Sequence, residues 1–258
     1  MRIAGRGESM ISCAHISRKG NREYNEDSVE ICKKEKSYVF GLADGLGGHG
    51  HGDVASALAM DAIRSFEEEC DLRSSLSGCF EMAQERVDRQ KKLQPECAGM
   101  MTTLVTLEVR RTEIGWGHIG DSRIYYFQDG KLISHTLDHS VPQMLVNMEE
   151  IKESEIRHHP DRNRLLCSIG MEWDDKPYRI DEIMERIGKQ QFLLCSDGFW
   201  EYIEEKDMEN LLRKSFTPKQ WLKKMENIVL ENGRGYEMDN YSAIAVWSKK
   251  KERKKGMR

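Results

Sequence analysis

Short apolar runs closed by Asp and Gly turns alternate along this chain with stretches of helical periodicity. Met10–Ser17 and Ser28–Lys33 read as strands. Ser37–Ala43 (SYVFGLA) is nearly continuous in its apolar character, as a buried strand would be. A glycine-dense turn follows from Asp44 to Gly52. Val54, Leu58, Ala62 and Phe66 then fall on one helical face, and Leu72, Leu76, Phe80, Ala83 and Val87 mark a second helix at spacings of four and three. Strands resume at Thr102–Val109, Ile114–Ile119, Arg123–Phe127 and Lys131–Ser134, the last two joined by the hairpin signal Asp129-Gly130. The region from about 140 to 190 is mixed, with a short helix at Val141–Asn147. Gln191–Cys195 is again an apolar strand, Glu204–Lys214 and Pro218–Leu230 read as helices, and Tyr241–Trp247 closes the pattern as a strand.

This order is not a regular alternation of strand and helix. It predicts an α+β fold, an antiparallel sandwich flanked by helices, without an internal boundary. The 258 residues, 38% hydrophobic and 33% charged, suffice for a sizeable core without disulfides or a structural metal. No stretch reaches the ~18 apolar residues of a membrane helix, and the first residues lack a signal-peptide core, so no membrane span and a cytoplasmic location are expected. The seven cysteines, at 13, 32, 70, 79, 97, 167 and 195, form no C-x-x-C pair, hence neither a zinc-ligand spacing nor a disulfide framework.

Net charge is −4, but the last ten residues hold seven bases and one acid, which leaves 33 bases against 43 acids in the body. An acidic body is a poor partner for nucleic acid. The basic end reads as a solvated tail; contact with anionic lipid or an acidic partner is the alternative.

The informative residues stand where buried strands meet tight turns. Ser37–Ala43 ends in Asp44-Gly45, Trp116–Ile119 in Gly120-Asp121-Ser122, and Phe192–Cys195 in Ser196-Asp197-Gly198. Asp239-Asn240 precedes the last strand, and Asn25-Glu26-Asp27 lies near the start. Asp and Gly are ordinary turn residues. Several carboxylates converging on one rim, however, cannot all stay ionised without cations. Hard oxygen ligands suit Mg²⁺ or Mn²⁺ rather than zinc, and such ions activate water and clamp a phosphoryl group.

These motifs, in this order, resemble the metal-dependent protein serine/threonine phosphatases (the PPM or type 2C family) in their bacterial form. The resemblance covers about residues 10 to 248. It rests on Arg22-Glu23-Tyr24-Asn25-Glu26-Asp27, Asp44-Gly45-Leu46-Gly47-Gly48, Gly99-Met100-Met101-Thr102-Thr103, Gly120-Asp121-Ser122-Arg123, Ser196-Asp197-Gly198 and Asp239-Asn240. It implies a four-layer αββα sandwich, two antiparallel sheets flanked by helix pairs, with two Mn²⁺ or Mg²⁺ ions and a third, weaker one in the cleft. Residues 1–9 would be an N-terminal extension, 10–248 the phosphatase domain, and 249–258 the basic tail. Asp44 would bridge two ions, the Gly45 carbonyl would ligate one, and Asp197 and Asp239 the other. Glu26 would hold a water on the metal, and Asp121 with Asp197 would serve the third ion. Arg22 would grip the phosphate, a task suited to its planar fork. Asp27 and Asn240 would support the ligands.

The implied activity is hydrolysis of phosphoserine and phosphothreonine in proteins, without a phosphoenzyme, by a monomer that opposes a Ser/Thr kinase in bacterial signalling. The chain departs from the eukaryotic pattern at Leu46, where those members carry the His proposed as proton donor; a water at the metal centre is the expected substitute. His49 and His51 lie nearby and read as exposed turn residues. The segment Ser17-Arg18-Lys19-Gly20 lacks an Asp often found in the family, and Met101 replaces a usual glycine. Residues 138–170 correspond to the variable flap. There Asp138-His139-Ser140, His159-Pro160 and Asn163-Arg164 echo family positions, and His158 and His159 read as loop residues.

Two other readings compete. Gly45-x-Gly47-x-x-Gly50 fits the dinucleotide fingerprint, but Asp44 would face the pyrophosphate and a second helix stands where the next strand belongs. A pseudophosphatase acting as a binding module would share the fold, since fold does not fix function; the retention of Arg22, Glu26 and the four aspartates argues for an active enzyme. The five tryptophans read as packing rather than a nucleobase platform, and Cys195 as an inert small hydrophobe.

Overall fold

The computed structural model describes residues 2–4, 9–46 and 50–250. Its strands are β1 (Arg2–Ala4), β2 (Ser9–Arg18), β3 (Ser28–Lys33), β4 (Ser37–Ala43), β5 (Leu104–Arg110), β6 (Glu113–Ile119), β7 (Arg123–Gln128), β8 (Lys131–His135), β9 (Arg179–Ile180), β10 (Met184–Glu185), β11 (Lys189–Cys195) and β12 (Tyr241–Lys250). The helices are α1 (Gly52–Ser65), α2 (Leu72–Leu93), α3 (Val141–Asn147), α4 (Asp197–Trp200), α5 (Glu205–Arg213) and α6 (Pro218–Asn232). One sheet runs β1-β2-β12-β11-β7-β8; the other runs β10-β6-β5-β4-β3, with β9 also on β6. Every pairing is antiparallel.

The layers follow from side-chain alternation along each strand. In β4, Phe40 and Leu42 point into the core between the sheets, while Val39 and Ala43 point to the layer with α1 and α2. In β11, Phe192 and Leu194 face the other sheet, while Leu193 and Cys195 face the layer with α4, α5 and α6. Ile244 and Val246 against Ala243 and Ala245 repeat this in β12. Both faces are covered, which is why these strands read as continuous apolar runs. The result is the αββα sandwich. Cys195 is fully buried, and burial raises its thiol well above the ordinary range, as an inert core residue requires.

Helix starts are set locally. Asp71 accepts from the Ser74 N–H at the start of α2, and Thr217, followed by Pro218, accepts from Gln220 at the start of α6. The Asp129-Gly130 turn has positive φ at both residues, the geometry expected of such a hairpin. Three details differ from the pattern reading. The buried stripe of α1 is Ala55, Ala59, Ala62 and Ile63; Val54 and Leu58 sit at its margin, and Phe66 lies beyond the helix in extended conformation. Short residues dominate that stripe because α1 packs close to β4. Arg2–Ala4 pairs with Met10–Ser12, so the chain start adds a strand. β12 runs to Lys250, two residues into the segment read as tail, whose remainder lies outside the described residues, as do Gly47, Gly48 and His49. No helix among the described residues is long and apolar enough to cross a membrane.

Candidate active site

The ends of β4, of β11 and of the β6–β7 turn meet at one rim of the sandwich, and each delivers an aspartate. Asp44 leaves β4, Asp121 sits in the β6–β7 turn, and Asp197 opens α4 directly after β11. Asp239 precedes β12. The loop between β2 and β3 brings Arg22, Glu26 and Asp27 to the same place.

The turn chemistry holds these positions. Asp44 donates its N–H to Thr103 Oγ1 at 3.0 Å and accepts from the Thr103 N–H and the Thr102 hydroxyl. Thr103 in turn shares a 2.7 Å hydrogen bond with Ser122, beside Asp121. The Met101-Thr102-Thr103 segment therefore ties two aspartate turns together; Met101 itself contributes its carbonyl to Leu46 N–H. Gly45 is required by contact: a Cβ there would lie 2.3 Å from the Gly52 carbonyl oxygen and 2.8 Å from that of Glu26. Gly198 is equally confined, since a Cβ would stand 2.1 Å from the Asn240 carbonyl oxygen.

Asn240 organises the loop opposite. Its Oδ1 accepts from Glu26 N–H at 2.7 Å, and its Nδ2 donates to the carbonyls of Lys19 and Tyr24. Asp27 is buried behind the rim. Its Oδ2 accepts from Ser196 Oγ at 2.9 Å, while its Oδ1 finds no hydrogen-bond donor. Arg22 makes a bidentate pair with Asp239, Nε to Oδ1 at 2.9 Å and Nη2 to Oδ2 at 2.7 Å, both side chains partly open to solvent.

Electrostatics mark the rim as carrying excess negative charge. Desolvation raises Asp44 well above the usual carboxylate range, and the charges of Asp27, Asp197 and Asp121 add to it. Asp121 is raised by burial and then by Asp197. Asp197 is raised by burial, with Asp239 adding to it. Burial pushes Asp27 up to about 7. Glu26 is raised by burial, Asp53 and Asp239.

The residues fit a hard divalent cation in donor type and in charge: all are oxygens, burial raises each rim carboxyl, and one buried carboxylate oxygen lacks a partner. Among the described residues no group of three or more acidic, His or Cys side chains is arranged to hold a metal ion; Asp239 is turned to Arg22.

The structure adds acids that the sequence reading passed over. Glu201 sits four residues after Asp197, and burial together with Asp197 pushes it up to about 8; it pairs with Arg162 at 3.1 Å. The four-residue spacing was its only signal, one turn along a helix. Asp53 opens α1 beside Glu26. A cleft of about 480 Å³ adjoins the rim, with Arg157, Arg162, Glu201, Tyr202 and Tyr236 among its walls. His51 is exposed at the start of α1 and His158 is exposed. His159 accepts from Asp161 N–H within its own loop. His139 lies behind the Asp121 turn, where its Nδ1 accepts from Gly120 N–H at 3.3 Å. Trp116, Trp200 and Trp221 are buried, and Trp173 and Trp247 partly so, as packing residues.

Comparison with known proteins places this geometry. The family model described as Protein phosphatase 2C matches residues 15–238. The serine/threonine protein phosphatase PstP of Mycobacterium tuberculosis (strain ATCC 25618 / H37Rv) is 31% identical over 195 residues, 74% of this chain; the match spans 37% of the length of that relative. The serine/threonine phosphatase stp of Listeria monocytogenes serotype 4b is 27% identical over 235 residues, 87% of this chain and 90% of the relative. Among solved structures, a bacterial serine phosphatase superposes with a TM-score of 0.82 at 25% identity, covering 94% of this chain and 100% of the other. The catalytic domain of PstP in complex with two manganese ions gives 0.79 at 26% identity, covering 93% and 99%.

Proposed function

The chain belongs to the protein phosphatase 2C family, and on that premise we propose that it hydrolyses phosphoserine and phosphothreonine in proteins, using two Mn²⁺ or Mg²⁺ ions and a third, weaker one at the carboxylate rim. The observation that carries this reading is the convergence of Asp44, Asp121 and Asp197 at one rim, where burial raises all three carboxyls and the charge of Asp197 raises the other two further. The two manganese ions in the PstP catalytic domain support it.

Asp44, the Gly45 carbonyl, Asp197 and Asp239 would hold the paired ions, with Glu26 fixing a water beside them; Asp121, with Asp197, would hold the third. Bound there, the ions supply water activation and neutralise charge on the phosphoryl oxygens. Arg22 would present its fork to the phosphate. Asn240 keeps Arg22 and Glu26 in register through the Lys19, Tyr24 and Glu26 backbone groups. Asp27 braces the Asp197 turn through Ser196. The domain is read as 10–248, with 138–170 as the flap beside the cleft. A monomer in the cytoplasm, acting on phosphoproteins against a Ser/Thr kinase, is the matching setting.

Hydrolysis of p-nitrophenyl phosphate and of a phosphothreonine peptide, with Mn²⁺, with Mg²⁺ and with EDTA, tests this reading. Activity that requires the ions supports it. Folded protein that is inactive with every ion would mean a binding module on the same fold.

A further inference from the structure

Trp200 closes the short helix that Asp197 opens, and it is 2% exposed. Its indole Nε1–H does not stay within the helical layer. It crosses to the β6–β7 turn and donates to the backbone carbonyl of Asp121 at 3.0 Å. One side chain thus stands on the element of one rim carboxylate and holds the backbone of another.

The surroundings show that this ring is held in place. The Arg123 guanidinium lies over it at 3.6 Å from the ring centroid, and the Arg157 guanidinium at 5.6 Å. Arg123 is bidentate to Asp138, both bonds 2.7 Å, and donates to the Tyr125 hydroxyl. Arg157 donates to the carbonyls of Trp200 and Ile203 and to Glu205, and Glu205 also accepts from Tyr125. Asp138 and Arg157 belong to the flap segment, so the flap is tied to this residue directly through Arg157 and indirectly through the Asp138–Arg123 pair. Two buried cations matched by two carboxylates form a charge-balanced block, which is costly to rearrange. Such a block beside the rim fixes where the Asp121 turn sits.

We propose that Trp200 is a positioning residue for the ion site: it sets the Asp121 turn relative to Asp197 and makes that geometry depend on the seating of the flap. This rests on the assignment of Asp121 and Asp197 as ligands. Outer-shell partners of metal ligands change metal affinity by about 10- to 100-fold when removed.

The test compares Trp200→Phe with Trp221→Phe. Trp221 lies in the same core cluster and donates its indole N–H to the Met208 carbonyl at 2.9 Å, on α5 and away from the rim. Each variant loses one buried indole bond and keeps an aromatic ring. Mn²⁺ binding is measured by calorimetry, kcat and KM on p-nitrophenyl phosphate at saturating and limiting Mn²⁺, and melting temperature in EDTA. The expected result is that at least one Mn²⁺ binding step weakens about tenfold or more in Trp200→Phe and none in Trp221→Phe, with kcat falling and KM unmoved. Trp200→Phe that binds Mn²⁺ as the parent does, or equal weakening in Trp221→Phe, overturns the proposal. Absence of Mn²⁺ binding by the parent protein would instead remove the ion site itself. A second pair, Arg157→Lys and Arg157→Met, reads the flap: protease cleavage within 138–170 and Mn²⁺ affinity should change together, least in the lysine variant. Cleavage that rises while Mn²⁺ affinity stays constant overturns the link to the flap.

Discussion

Arg22 and Asp239 stand 217 positions apart in the chain and meet in a bidentate ion pair, at 2.9 and 2.7 Å. One is assigned to phosphate and the other to an ion, and without either each satisfies the other. An ion on Asp239 would draw negative charge away from Arg22 and free the fork for an anion. Both side chains are substantially exposed, so the pair itself adds at most about 1 kcal/mol to stability. Arg22→Ala should therefore melt close to the parent. It should lose about 10- to 100-fold in kcat/KM on a phosphothreonine peptide, from ~1.5–3 kcal/mol of charge-assisted hydrogen bonding. Arg22→Lys keeps the charge without the fork and should fall between. Unchanged kinetics in the alanine variant would remove Arg22 from the site.

Substitutions of the rim aspartates should separate binding from stability. Asp44→Asn removes one of several buried like charges, so in EDTA the variant should melt no lower than the parent. Calorimetry should show it losing the tightly bound Mn²⁺. Asp197→Ala should abolish turnover. Asp121→Ala should keep the tight pair of ions and lose turnover, and loss of that pair would count against its assignment to the third ion.

The ion-free protein should lose stability as pH rises. Asp27, up at about 7, and Glu201, at about 8, have folded pKa values above the unfolded carboxyl range of about 4. Between those limits the folded state holds more protons, and its advantage is spent as pH climbs through 7 and 8. His139 works the other way. Burial and His118 lower it to about 4, so its contribution disappears as pH falls from about 6.5 toward 4. Two raised carboxyls outweigh one lowered imidazole, so melting in EDTA should decline as pH rises from about 4 to about 8 and level off above that, and saturating Mn²⁺ should flatten the decline. A melting temperature that rises between pH 6 and 8 in EDTA contradicts this balance.

Gly198→Ala tests the tight contact behind Asp197. The added Cβ, 2.1 Å from the Asn240 carbonyl oxygen, meets backbone rather than a movable side chain. Overpacking of this kind costs about 1–3 kcal/mol, and the shift falls on Asp197 and Asn240. Differential scanning calorimetry should show the stability loss, with Mn²⁺ affinity falling in the same variant. Gly235→Ala, a loop glycine with open space around it, should leave Mn²⁺ affinity unaltered.

The residue pattern by itself determined nine of the strands, β2 to β8, β11 and β12, with their ends placed to within three residues. Phe40, Leu42, Phe192, Leu194 and their neighbours are apolar on both faces because helices cover one side of each sheet and the other sheet covers the second, and that double burial is written as an unbroken run. The aspartates at the ends of those runs, and the family they resemble, were legible for the same local reason. So was the turn at Asp129-Gly130. The two-residue strands β9 and β10 were not, since two residues carry no period. Tertiary structure alone decided which acids share a rim, that Arg22 faces Asp239, that Glu201 turns toward Asp197, and that Trp200 reaches across to Asp121. Spacings of two and four residues are fixed by strand and helix geometry, so they can be read along the chain. Contacts between residues 79 or 217 positions apart depend on the order of strands within two sheets and on how those sheets stack, which no local spacing encodes.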